Sequence, residues 1–114
     1  MAKKARRAVQ AKQEPEKFLA DVPAEYVFWC YDGRLLRNMK ELGDALKTMA
    51  DETYAFHANT EKNDFSTWVK DIIGDEKMAQ NLEEAASRTL AADLVATRVA
   101  SLTRQPTQAS AKLP

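Results

Sequence analysis

The chain is short of the residue types that carry most small-domain chemistry. A single cysteine, Cys30, excludes an internal disulfide and fits a reducing compartment. A single histidine, His57, has no second nitrogen or sulfur ligand at a metal-binding interval, so the usual zinc arrangements are absent. Three isolated glycines leave no glycine-rich phosphate loop, and no serine or cysteine sits in a local signature that pairs it with a base. The longest uncharged apolar run, residues 26–31, is far short of the roughly 20 residues that span a bilayer. The basic start, residues 1–10, is not followed by the apolar stretch of a secretory signal. These absences predict a cytoplasmic protein without cofactor, metal or membrane span, and not an enzyme.

At 114 residues the chain is the size of one domain, with room for one core and little for a deep cleft. Its net charge of zero conceals an asymmetry. Residues 1–17 hold six basic residues against two acidic ones (+4), and residues 18–114 hold 11 against 15 (−4). The chain is therefore read as a flexible basic arm (1–17), a helical domain (18–102) and a disordered polar tail (103–114), because both ends have too little apolar area to offset the entropy of ordering.

Within the domain, residues 26–31 (Tyr-Val-Phe-Trp-Cys-Tyr) are aromatic and β-branched, which suits an extended segment ended by a turn at Asp32-Gly33. No partner strand is evident, so the segment is expected to pack on helices. Over residues 34–50 the apolar positions Leu35, Met39, Leu42, Leu46 and Met49 fall 4, 3, 4 and 3 apart and predict a helix, with Gly43 tolerated if another backbone passes close. Asp51 reads as the N-cap of a short helix through Tyr54 and Phe56, and Asn63 or Asp64 as the cap of the next. Gly74 ends that helix, and Asp75 caps another. Residues 76–102 are read as two helices broken near Ser87. All nine aromatic residues lie within residues 18–68, which makes the aromatic half the expected core and the last helix a lid or a partner-facing element. The fold class is thus mainly α: a small compact domain of four to five helices with an aromatic extended N-terminal segment.

The run His57-Ala-Asn-Thr-Glu-Lys-Asn63-Asp64-Phe65-Ser-Thr-Trp68-Val-Lys-Asp71-Ile-Ile-Gly74-Asp75 resembles the most distinctive segment of a family of small domains of unknown function in archaea and bacteria. The aromatic run ending at Asp32-Gly33, residues 36–46 and Met49-Ala-Asp51-Glu-Thr-Tyr54 appear in the same order as in that family, so the resemblance covers about residues 26–102. It implies a compact helical module that occurs alone or beside unrelated domains, and it brings no activity.

Three sets of candidate residues follow. The motif residues His57, Asn63, Asp64, Phe65 and Trp68 are expected to be structural, as caps, buried hydrogen bonds and core; the alternative is a metal-binding or enzymatic domain centred on His57, with Asp71 and Cys30 nearby. Leu90, Leu94, Val95, Val99 and Leu102 spread over about half the circumference of a helix, broader than one core-facing stripe needs, and are expected to face a protein partner or a second copy. Lys3, Lys4, Arg6 and Arg7 form a phosphate-neutralising arm, with nucleic acid as its natural ligand and an acidic protein surface next. The expected function is a non-enzymatic interaction module that binds a protein partner or itself.

Overall fold

Phe18 marks where the described fold begins to bury side chains. The structure, a computed structural model, describes residues 15–111, with side chains from 17 to 103, so Lys3, Lys4, Arg6 and Arg7 lie outside the described residues. Helix α1 (Pro15–Leu19) opens on a proline, whose missing N–H is no loss in a first helical turn. It starts inside the expected arm because Phe18, with Leu19 beside it, has enough apolar surface to dock the turn.

A turn of 3-10 helix (Ala24–Tyr26) leads into a hairpin. Strand β1 (Phe28–Trp29) pairs antiparallel with β2 (Leu35–Leu36), Phe28 opposite Leu36 and Trp29 opposite Leu35. The aromatic segment therefore has a partner after all, and Leu35 belongs to a strand rather than to the helical stripe. Gly33 explains the difference. At φ +98° it occupies the left-handed region, its N–H donates to Cys30 O (2.9 Å), and Cys30 N donates to Arg34 O (2.9 Å), so the chain reverses within three residues.

Asn38 then stops the strand and caps α2 (Met39–Thr48), its side chain accepting from Glu41 N. Met39, Leu42, Leu46 and Met49 are buried, as the spacing predicts from Met39 onward, and Ala45 is buried with them. In α3 (Asp51–His57) the cap position is Ala50, without a side-chain bond, and Asp51 is the first helical residue, taken up by Arg88 at 2.9 Å. Asn63 caps α4 (Asp64–Trp68) through Ser66 N. The chain continues in one wider π turn (Val69–Ile73) to Gly74, at φ +93°, where the N–H groups of Gly74 and Asp75 both reach Val69 O. Asp75 caps α5 (Glu76–Glu84), and Ser87 accepts from Leu90 N at the head of α6 (Arg88–Ala111). The break at Ser87 is as expected. Past Thr103, where the polar tail is expected, the backbone of α6 stays helical to Ala111.

The domain is mainly α, and its core spans both halves of the sequence. Met39, Leu42, Leu46, Phe65, Val69, Met78, Leu82 and Val95 are all below 2% exposed. Helix α6 crosses α2 so closely that a Cβ on Gly43 would lie 3.0 Å from Val95 Cγ1, which is the close approach that glycine permits. Helix α6 is therefore neither a lid nor a free face. Val95 and Leu102 are buried, Leu94 and Val99 are half-buried, and Leu90 alone of the five is exposed. Its apolar arc is broad because α1, α2 and α5 all pack on it. Arg98 joins these layers: its Nε donates to Asp75 Oδ2 at 2.7 Å, and its guanidinium lies 5.7 Å from the Phe18 ring centroid.

Candidate functional site

The motif residues do come together, around the hairpin. His57 ends α3 and is buried among aromatic rings, with Phe28 at 5.0 Å, Phe56 at 5.0 Å and Phe65 at 5.2 Å between centroids. Its Nε2 accepts the backbone N–H of Tyr31 at 2.9 Å, and its Nδ1 lies 2.9 Å from Asp64 Oδ2. A backbone N–H can only donate, so Nε2 carries the lone pair. The proton of the neutral ring is then on Nδ1, which donates to the carboxylate. Both nitrogens are committed within the chain.

Burial pushes the Asp64 carboxyl up, but hydrogen bonds from His57 and from Lys62 Nζ (2.9 Å) outweigh it and hold the group below its ordinary value. Asn63 works in two directions: Oδ1 caps α4, and Nδ2 donates to Leu82 O at 3.2 Å on α5. Phe65 stacks on Phe28 at 5.2 Å and on Tyr54 at 5.7 Å. Trp68 meets Phe28 edge-on at 5.7 Å and donates from Nε1 to Tyr26 O at 2.7 Å. These side chains form a socket for Phe28, with polar ties to the chain on either side of it at Tyr26 and Tyr31.

The remaining candidates for catalysis do not join this cluster. Asp71 is exposed on the π turn. Cys30 is buried, and that burial pushes its thiol above the ordinary range, the opposite of what a reactive thiolate needs. Among the described residues no three His, Cys, Asp or Glu side chains are grouped to hold a metal ion. None of the described helices is long and apolar enough to cross a membrane.

What the socket presents outward is apolar. Trp29 is 73% exposed, Tyr31 61%, Phe56 49% and Leu35 47%. Trp29 and Leu35 are cross-strand partners on the hairpin face opposite Phe28 and Leu36. Two residues beyond Trp29, Tyr31 stacks on Phe56 with centroids 4.3 Å apart, and Lys62 Nζ lies 5.0 Å over the Phe56 ring. A second apolar feature is a shallow groove between α5 and α6, where Leu90 and Leu94 lie beside Met78.

Sequence reasoning missed this hairpin face. Within residues 26–31 every side chain is apolar, so the in-out alternation of Phe28 and Cys30 against Trp29 leaves no polar trace. Phe56 falls among the aromatic residues expected in the core, yet it stands about 100° around the helix from His57 and its ring, though in edge contact with His57, is half exposed. No family model, curated protein or solved structure matches the chain, so what the site does is read from its own geometry.

Proposed function

We propose that this protein is a non-enzymatic helical interaction module that docks a protein partner, or itself, through the hairpin face formed by Trp29, Tyr31, Leu35 and Phe56. The basic arm, Lys3, Lys4, Arg6 and Arg7, adds electrostatic affinity for nucleic acid or an acidic surface. The observation that carries this is the exposure of three aromatic rings and a leucine on a base that cannot easily give way. Trp and Tyr are the residues that dominate binding energy at interfaces, and the largest apolar patch on a protein surface is often a functional one. The ties from Tyr31 N to His57 and from Trp68 to Tyr26 O hold the hairpin in place before any partner arrives, which lowers the entropy cost of docking. Against a metal or catalytic centre at His57 stands the commitment of both ring nitrogens to Tyr31 and Asp64.

Cross-linking capture from the native cell tests the proposal, with the full chain, Trp29→Ser and Leu90→Ser as baits. Partners retained by the parent and Leu90→Ser but lost by Trp29→Ser support docking at the hairpin. A partner set that depends on Leu90 and ignores Trp29 moves the interface to the α5–α6 groove and sinks the proposal.

A further inference from the structure

We infer that the occupant of the hairpin face is a second copy of this chain, docked about a two-fold axis; the inference rests on the docking role proposed above. The first support is area. Aromatic side chains carry about 150–250 Å² each, so rings 73%, 61% and 49% exposed, together with Leu35 at 47%, leave roughly 450 Å² of apolar surface in water. That is within the range of the largest patch an ordinary monomer shows, about 300–600 Å². Two such patches face to face bury about 900 Å² before any rim is added, which brings the contact to the approximately 1,000 Å² where specific interfaces begin.

The second support is charge. In a two-fold contact each patch meets its own copy, so any net charge on it meets its like. Most of the charged groups nearest this face are paired within the chain; exposed Glu52, one turn before Phe56 on α3, is the exception. Arg34 Nη2 pairs with Asp32 Oδ2 at 3.0 Å in the turn, and its Nη1 donates to Thr48 Oγ1 at 2.8 Å. Lys62 Nζ, over Phe56, pairs with Asp64 Oδ2 at 2.9 Å. A strongly charged partner would find few unpaired charges to complement here, and an apolar copy of the same face leaves these pairs intact with Glu52 at its rim.

Sedimentation equilibrium of the full chain between about 5 and 500 µM tests this, the range in which a contact of this modest size associates. The expected result is a weight-average mass that rises toward twice the monomer value. Trp29→Glu should raise the dissociation constant at least about tenfold while melting like the parent, since Trp29 is mostly in water. Leu35→Lys provides a second disruption at another exposed position, and Leu90→Glu should leave association unchanged. A monomer at every concentration overturns the inference, as does a dimer that survives both Trp29→Glu and Leu35→Lys. The capture experiment separates the two levels. A monomeric chain that loses a foreign protein on Trp29→Ser removes self-association and keeps the docking face, whereas a monomeric chain whose capture ignores Trp29 removes both.

Discussion

Replacing His57 by alanine is the perturbation that most directly questions the socket. Three losses follow. The Tyr31 N–H gives up its acceptor, which costs about 1–3 kcal/mol for a fully buried donor and nearer 1 here, because Tyr31 is mostly exposed and water can reach it. Asp64 gives up a charge-assisted bond of about 1.5–3 kcal/mol, discounted to about 1 because the carboxylate is 36% exposed and keeps Lys62. The ring also leaves its edge contact with Phe28 and its tilted contact with Phe65, each worth about 0.5–1.5 kcal/mol.

The expected cost of His57→Ala is therefore about 3–5 kcal/mol, a large part of the 5–15 kcal/mol typical of a domain. At about 4–8 °C per kcal/mol this lowers the melting temperature by roughly 12–40 °C. Urea unfolding followed by tryptophan fluorescence measures it, with buried Trp68 reporting the core and exposed Trp29 contributing a nearly constant background. His57→Gln, whose amide offers an acceptor oxygen and an NH2 donor group, should recover about half of the loss. A His57→Ala midpoint within about 1 kcal/mol of the parent would refute the socket. So would stoichiometric metal in the parent that disappears from the variant.

Asp75→Ala should cost about 2–4 kcal/mol by calorimetry, since it removes both the α5 cap and the 2.7 Å partner of Arg98, whereas Asp75→Asn keeps the capping oxygen and should cost clearly less. The Asp64 carboxyl is held below its ordinary value of 3.8 by His57 and Lys62 against the upward push of burial, so its contribution is complete above that pH and is lost as pH falls through the depressed folded value. Melting temperature should accordingly drop below about pH 4, and Asp64→Asn should flatten that drop; an unchanged acid limb would remove Asp64 from the socket's energetics. For the arm, duplex DNA binding should fall with a log–log salt slope of about −3 to −4 if each of Lys3, Lys4, Arg6 and Arg7 meets a phosphate, and should vanish when all four become alanine.

Local chemistry explains which parts of the fold could be read in advance. Asn63, Gly74, Asp75 and Ser87 end or start helices through bonds made within a few residues, so their roles are written in adjacent sequence. The hairpin was hidden because Leu35 satisfies two patterns at once: it stands four residues before Met39, and it also falls opposite Trp29 once Gly33 turns the chain. The arc on α6 is ambiguous for the opposite reason. A helix packed by α1, α2 and α5 needs apolar residues around much of its circumference, and sequence alone does not distinguish several internal neighbours from one external partner. The expectation of a structural role for His57 rests on its isolation among possible ligands. Its acceptor role was not legible, because Tyr31 lies 26 residues away.

The position of a histidine in an otherwise aromatic core links the buried socket to the exposed face. A leucine of similar bulk would fill the space beside Phe28 and Phe65 and would need no desolvation of a polar ring. It would also leave the Tyr31 N–H without its acceptor at the first residue of the turn. Buried polar contacts generally add little net stability compared with good apolar packing, but they fix direction, because a hydrogen bond fails within a few tenths of an ångström and apolar contact does not. His57 thus sets where Tyr31 begins the turn, and Tyr31 on Phe56 then sets the outer surface. Stability of the core and geometry of the proposed docking face depend on the same ring. Substitutions at His57 should therefore weaken docking beyond what the population of unfolded chain explains, whereas a substitution at Val95, buried where α6 crosses α2, should weaken it only through unfolding.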